Sequence, residues 1–129
     1  MDIAFEKGGG LVPVVVQDDR TGDVLMLGFM NEEALAETRR THELVFFSRS
    51  RNRLWKKGES SGHVLKVRDV RVDCDADALL VRVEPAGPGV CHEGYRSCFF
   101  RRIEQDGSAT VIEQRTFQPE QVYGPESKR

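Results

Sequence analysis

Short apolar runs separated by turn-forming residues predict β-strands in the first part of the chain. One run covers residues 12–16 and a second covers 24–29, and the polar cluster 18–23 lies between them. This pattern predicts a β-hairpin. Pro13 removes one backbone donor, so the first strand is expected at a sheet edge or just after the proline.

One segment carries the signals of an α-helix. Asn31 is a favourable N-cap, and Glu32 and Glu33 place negative charge in the first turn. Basic residues follow near the expected end at about Thr41.

The rest of the chain again alternates between apolar runs and turns. Strands are expected at 44–47, from residue 54, at 64–72, at 79–83 and in a last hairpin formed by 98–103 and 110–112. The period-two register breaks between Val64 and Val67, which predicts an irregularity there. About eight strands with one or two helices predict an α+β fold dominated by antiparallel sheet.

Size and composition fit one soluble domain. The 129 residues are 39% hydrophobic and 31% charged, with a formal net charge of −2, so we expect no general attraction to nucleic acid or to membranes. No apolar run approaches the roughly 20 residues of a membrane span, and the N-terminus lacks a secretory signal, which predicts a cytoplasmic protein. The domain is expected over residues 1–117, followed by a polar, flexible tail over 118–129.

Three aspartates fall within five residues, at Asp73, Asp75 and Asp77. On an extended strand the outer two would stand roughly 13 Å apart, too far for one ion with oxygen bonds of about 2.1–2.5 Å. A shared magnesium or calcium ion therefore requires a turn here. The alternatives are a polar turn without metal, or an EF-hand, which is rejected because Ala78 stands where that loop needs glycine.

The chain has only three cysteines, Cys74, Cys91 and Cys98. An odd number argues against a disulfide framework, and clustered thiols in a reducing compartment favour metal binding or catalysis. Three thiolates on zinc leave a fourth position for water, as in catalytic sites, whereas small core cysteines are the alternative. His92, beside Cys91, is a candidate fourth ligand or general base.

A basic segment with one tryptophan covers residues 48–58, and a loop of small residues follows it. Three interpretations are open: a solvated hairpin tip, a nucleic-acid surface, or a pocket for small phosphate groups. From their charge, we expect phosphate contacts from Arg49, Arg51 and Lys57.

Four stretches together resemble the phosphoribosyl-AMP cyclohydrolase family of histidine biosynthesis. In the family's order and spacing they are QDDRTGDVLMLGFMNEEAL, FFSRSRNRLWKKGESSG, VRVDCDADALLVRVE and CHEGYRSCFFR. The resemblance implies hydrolytic opening of the adenine ring of phosphoribosyl-AMP at its N1–C6 bond, giving the formimino-carboxamide ribotide in the third step of that pathway. It further implies an intertwined homodimer with zinc and magnesium at active sites between the subunits.

The resemblance also implies roles for individual residues. Cys74 matches a zinc ligand from one subunit, and Cys91 and Cys98 match those from its partner, so that each subunit's one zinc is shared across the dimer. His92 matches a histidine that is implied to be catalytic. The matching magnesium ligands are Asp73, Asp75 and Asp77, and the matching substrate loop contains Trp55, Lys57, Gly58, Ser61 and Gly62.

The chain departs from the family's pattern at one position in the aspartate segment, and two other functions are alternatives. Ala76 stands where the family usually has glycine, which bears on the turn required of the aspartates. From the residues alone, a zinc-dependent nucleic-acid-binding module and a calcium-binding β protein without catalysis are the alternatives to a hydrolase.

Overall fold

A computed structural model describes residues 2–123, which contain eight strands and two helices. The strands are β1 (Val12–Asp18), β2 (Val24–Met30), β3 (Val45–Ser48), β4 (Arg53–Lys56), β5 (Leu65–Val72), β6 (Leu79–Pro85), β7 (Arg101–Ile103) and β8 (Ala109–Val111). The helices are α1 (Glu32–Thr41) and α2 (Pro119–Tyr123), and a 3₁₀ turn covers Phe5–Gly8.

A four-stranded sheet in the order β2-β1-β6-β5 forms the centre of the fold. Every pair in it is antiparallel except β1 with β6, which run parallel. The strands β3 and β4 form one separate hairpin, and β7 and β8 form another. The predicted α+β class with mostly antiparallel strands is therefore confirmed.

The position of β1 corrects the expectation about Pro13. This strand lies inside the sheet and includes the proline, instead of lying at an edge or starting after it. Pairing with β6 begins only at Val14, so Pro13 has a strand neighbour on one side, opposite Phe29 of β2. The missing N–H therefore falls where β1 has no second partner.

Two further boundaries differ from expectation. The irregularity in β5 lies between Val67 and Asp69 and leaves Arg68 as the extra residue; Val64 precedes the strand and so has no register to break. The last hairpin begins at Arg101 instead of Cys98, because the Cys98 N–H donates to the Leu25 carbonyl of β2 (2.7 Å).

Helix α1 is stabilised as its sequence predicts. The Asn31 side chain accepts a hydrogen bond from the Ala34 N–H (2.8 Å), which caps the helix. Ala34 and Thr38 are buried, and the Thr38 hydroxyl exchanges hydrogen bonds with the backbone of Val45 at the start of β3. The helix is thereby fixed against the β3–β4 hairpin.

The fully buried core lies along the sheet and under α1. It includes Val14, Val16, Leu25, Phe46 and Val81. Within residues 2–123, no helix is both long and apolar enough to cross a membrane. Helix α2 lies in the segment 118–129 expected to be a flexible tail, residues 124–129 of that segment lie outside the described part, and the division at residue 117 stays a prediction.

Candidate metal and substrate site

The aspartate segment turns sharply between β5 and β6. Asp73 accepts hydrogen bonds through Oδ1 from the N–H groups of Asp77 (3.0 Å) and Ala78 (3.2 Å). Ala76 occupies the left-handed region with φ of 62°. The turn that a shared ion requires is therefore present, with an alanine at its most strained position.

The three carboxylates fit a divalent cation by geometry. One oxygen from each of Asp73, Asp75 and Asp77 lies within 4.8 Å of the others, and two oxygens on one ion at about 2.1–2.6 Å are at most about 5 Å apart. Hydrogen bonding with Asp75, followed by burial and the neighbouring negative charges, raises the pKa of Asp77. The Lys7 ammonium lies 3.8 Å from Asp75 and 3.7 Å from Asp77, so the cluster already attracts a positive charge.

The thiols of Cys91 and Cys98 lie together, with Cys91 buried and Cys98 exposed. A hydrogen bond from Cys98 lowers the pKa of Cys91 to about 6. The same bond raises the pKa of Cys98, and so does the shielding of its sulfur from water, although the residue as a whole is exposed. Near neutral pH the pair therefore holds one proton as a thiolate and a thiol, and thiolate is the form that binds metals.

Lys57 connects this pair to the basic segment. Its charge acts on the Cys98 thiol, and its Nζ lies 5.4 Å from the ring centroid of Trp55. The side chain is largely buried, at 9% exposure. The Lys57 ammonium therefore lies near both the cysteine pair and the tryptophan ring.

An open groove of about 820 Å³ lies beside Trp55 and is lined in part by Arg49 and Arg51. The Trp55 ring stacks on Phe46 with centroids 5.6 Å apart, and the Arg49 guanidinium lies 3.9 Å from the ring centroid of Phe29. The groove therefore combines an aromatic wall, which suits a purine, with two guanidinium groups, which suit phosphates.

The small-residue loop borders this groove. Gly58 has φ of 90°, and a Cβ there would lie 2.5 Å from the backbone of His63, so only glycine fits. The Gly62 N–H donates to the Gly58 carbonyl (2.7 Å), and the Ser61 hydroxyl accepts from the His63 N–H (3.1 Å). Ser60 lines the groove, whereas Gly58 and Ser61 lie against a small adjoining cavity next to Trp55.

Cys74 lies apart from the other two cysteines. Cys74 precedes β6, and Leu79 at the start of β6 pairs with Val14 near the beginning of β1. The Cys98 N–H instead donates to the Leu25 carbonyl at the start of β2. That end of β2 pairs with Gln17, near the end of β1. The stretch of β1 between those two levels spans roughly 10 Å. Among residues 2–123, the aspartates are the one set of three or more metal-binding side chains that converge.

His92 occupies a turn directly after Cys91 and is half-buried. The Gly94 N–H donates to the Cys91 carbonyl (3.0 Å), and the Cys91 N–H donates to the Tyr95 carbonyl (3.1 Å). These bonds close the turn and place His92 at its tip, directly after buried Cys91 in the chain.

Two residues near the site carry no local sequence signal. Lys7 reaches the aspartates from the N-terminal 3₁₀ turn. Arg96 donates to the carboxylates of Asp18 and Asp23, both at 2.6 Å, and so binds the cysteine loop to the β1–β2 turn. Both depend on contacts between residues far apart in sequence, which periodicity and spacing do not reveal.

Comparison with known proteins places the chain in one family. The model of the phosphoribosyl-AMP cyclohydrolase family matches residues 26–100. Proteins of that name from Solibacter usitatus (strain Ellin6076) and Desulforapulum autotrophicum are 54% and 49% identical to the chain, covering 98% and 95% of it and 100% and 98% of their own lengths. A third, from Rhizorhabdus wittichii, is 62% identical over 79% of the chain and 82% of its own length. The chain belongs to the phosphoribosyl-AMP cyclohydrolase family.

Proposed function

We propose that this chain hydrolyses the adenine ring of phosphoribosyl-AMP at the N1–C6 bond, in the third step of histidine biosynthesis. In a chain of this family, the observation that carries the mechanism is the contact between buried Cys91 and exposed Cys98, which hydrogen-bond to each other near the charge of Lys57. The phosphoribosyl group on N1 makes C6 electrophilic, so the reaction needs an activated water and a site that orients the ring.

Zinc suits the cysteine set. Cys91 and Cys98 would supply two thiolate ligands once the pair releases its remaining proton, and Cys74 would supply the third from a second subunit. Zinc held there would contribute Lewis-acid activation of water, an effect that three thiolates would weaken because they oppose the charge of the metal. His92 compensates by taking the proton from the attacking water, since it follows Cys91 directly.

The groove and the aspartate turn bind the substrate on this proposal. Trp55 stacks with the purine, while Arg49 and Arg51 hold phosphate groups, as their common position in the groove supports. The loop from Gly58 to Gly62 borders the ring. Asp73, Asp75 and Asp77 would hold magnesium, because their converging oxygens suit one hard cation. Its positive charge would orient or neutralise the oxygens of the substrate.

A second copy of the chain completes the site. Cys74 and the Cys91–Cys98 pair lie at different ends of β1, so one chain presents two incomplete parts of a zinc site. The segment that follows Cys98 exposes four apolar side chains, which are Phe99 (54%), Ile103 (79%), Val111 (52%) and Ile112 (49%). We assign this apolar face to the subunit interface of a homodimer, because burying it also brings Cys98 against the partner.

A cytoplasmic location agrees with this chemistry. The cysteines are unpaired by disulfides in the described structure, and a reducing compartment keeps such thiols available for metal.

Ion pairs between the basic segment and nearby glutamates weaken the nucleic-acid alternative. Arg53 lies 3.6 Å from Glu59, and Lys56 lies 2.7 Å from Glu43. These carboxylates offset part of the positive charge that nucleic-acid backbone binding requires.

The decisive assay follows the absorbance change of ring opening when purified protein is incubated with phosphoribosyl-AMP. Turnover is expected in the zinc-loaded protein and should disappear with a chelator and return with zinc. AMP is the matched control, because its N1 carries no phosphoribosyl group. An absence of ring opening by zinc- and magnesium-loaded dimer would refute the proposed activity.

A further inference from the structure

The segment Arg115–Phe117, here called the C-terminal strap, lies across the turn that carries His92. The Thr116 N–H donates to the Gly94 carbonyl (2.7 Å), and the Phe117 N–H donates to the same oxygen (3.3 Å). The Arg115 Nε donates to the Glu93 carbonyl (2.8 Å). The strap therefore bonds to the two residues that follow His92.

Thr116 also bonds to the other flank of the turn. Its hydroxyl donates to the Pro88 carbonyl (3.0 Å) and lies 3.4 Å from the Gly94 carbonyl. Pro88 precedes Cys91, and Gly94 follows His92. Thr116 therefore connects the two ends of the segment that contains the proposed zinc ligand and the proposed base.

Close packing accompanies these bonds. A Cβ on Gly94 would lie 2.4 Å from the Phe117 carbonyl oxygen, and a Cβ on Gly89 would lie 2.9 Å from the Thr116 Oγ1. The Phe117 ring meets His63 edge-on with centroids 5.2 Å apart, which fixes the strap to the loop beyond Gly62. Glycines at both contact points allow the strap to approach the turn this closely.

We propose that Thr116 is a positioning residue that holds the Cys91–Gly94 turn in place for catalysis. The inference rests on the role proposed for His92, and it adds a residue outside the stretch 26–100 that matches the family. The turn lies in the loop between β6 and β7, outside the described strands. Its placement therefore depends on loop contacts, among them the Arg96 bonds to the β1–β2 turn and the bonds of the strap. Catalytic groups need placement within about 0.5 Å, and misplacement lowers the rate before it lowers substrate binding.

An isosteric pair of variants tests this role. Thr116→Val keeps the shape and the backbone N–H but removes the hydroxyl, whereas Thr116→Ser keeps the hydroxyl. Thr41→Val is the matched control, because it removes a comparable hydroxyl bond to the Glu37 carbonyl (2.9 Å) at the end of α1. Loss of one hydrogen bond to the turn is expected to lower kcat about fivefold in Thr116→Val with little change in KM, while Thr116→Ser and Thr41→Val stay within about twofold.

Two measurements without turnover accompany the kinetics. Amide hydrogen exchange at residues 91–95 of the metal-free protein should quicken in Thr116→Val alone, and zinc should be lost more readily to a chromophoric chelator. Equal exchange, zinc affinity and kcat in wild type and Thr116→Val would overturn the inference, as would equal losses in Thr116→Val and Thr41→Val. If the wild type opens no ring, the proposed function fails, and the exchange and chelator comparisons still decide whether Thr116 restrains the turn.

Discussion

The Cys98 thiol and the Cys91 sulfur share one proton, so that this chain carries a thiolate near neutral pH before any metal binds. The cause is geometric, since Cys98 donates to a buried sulfur that would otherwise be a neutral thiol. A preformed thiolate lowers the number of protons that metal binding must displace.

We expect the ultraviolet absorbance of thiolate in the metal-free protein to report this ionisation, which needs no access to the buried sulfur. The absorbance of Cys91 should appear with a midpoint at about pH 6, whereas in Cys98→Ala the midpoint should move toward about pH 8.5, the ordinary thiol value. Cys91→Ala is the control, because it should lack this step and keep that of exposed Cys74. An unchanged Cys91 midpoint in Cys98→Ala would contradict the shared proton.

The same pair should make the stability of the metal-free protein depend on pH. Between about pH 6 and pH 8.5 the unfolded chain holds two thiol protons and the folded chain one, so the free energy of unfolding rises with pH. Above that range the unfolded thiols ionise while Cys98, with its raised pKa, keeps its proton, so stability falls. Urea titrations across this range test the maximum, which the double variant Cys91→Ala/Cys98→Ala should lack.

Asp18 should contribute to acid sensitivity. Burial alone raises its pKa, but hydrogen bonds from the N–H groups of Arg20 and Thr21 and the Arg96 guanidinium outweigh burial, so the pKa is lowered overall. Its contribution is present above the unfolded value of about 3.9 and is lost as pH falls through the folded pKa. Urea unfolding below pH 4 should show a weaker pH dependence in Asp18→Asn than in wild type.

Removing the partner of Asp18 should be costly at neutral pH. Arg96→Gln leaves a buried carboxylate without its guanidinium and is expected to cost about 2 kcal/mol of unfolding free energy. Arg102→Gln, which breaks an exposed pair with Glu104, should change it by less than about 0.5 kcal/mol. Similar losses in both variants would contradict the structural role of the Arg96 contact.

Ala76→Gly should stabilise the aspartate turn. Alanine with φ of 62° is strained, and glycine relieves about 1 kcal/mol of that strain, less the entropy it adds to the unfolded chain. Ala36→Gly, on an exposed position of α1, should instead cost about 1 kcal/mol. The midpoint temperature of thermal unfolding should therefore rise in Ala76→Gly and fall in Ala36→Gly.

Mixed dimers test whether zinc ligands come from two chains. Cys74→Ala and Cys91→Ala should each be inactive alone, but a heterodimer has one site with all ligands intact, so mixing should restore about a quarter of wild-type activity if subunits exchange at random and the two sites act independently. Zero activity in heterodimers verified by native mass spectrometry would indicate sites built within single chains.

Local signals predicted much of the fold. The Asn31 cap, the β1–β2 hairpin and the turn at the aspartates each depend on residues close in sequence, and all three are present. The interior position of β1 was missed, because the neighbour β6 that encloses it lies more than 60 residues away.

In the candidate site, too, only the local part could be predicted. The spacing of the aspartates predicted that one ion would require a turn, and the turn is present with the three carboxylates close together. No spacing rule finds Arg96 against Asp18, 78 residues apart, or Thr116 against Pro88, 28 residues apart. Such contacts are determined by how strands and loops pack, and they require coordinates.

The position of β1 between Cys74 and Cys98 limits which insertions and deletions the protein tolerates. This strand separates the level of Cys74 from the level of Cys98, so deleting two of its residues would shorten that separation by about 7 Å. Insertions or deletions far from every proposed ligand are thus expected to abolish assembly of the proposed zinc centre, whereas apolar substitutions of similar volume at Val14 or Val16 should preserve it.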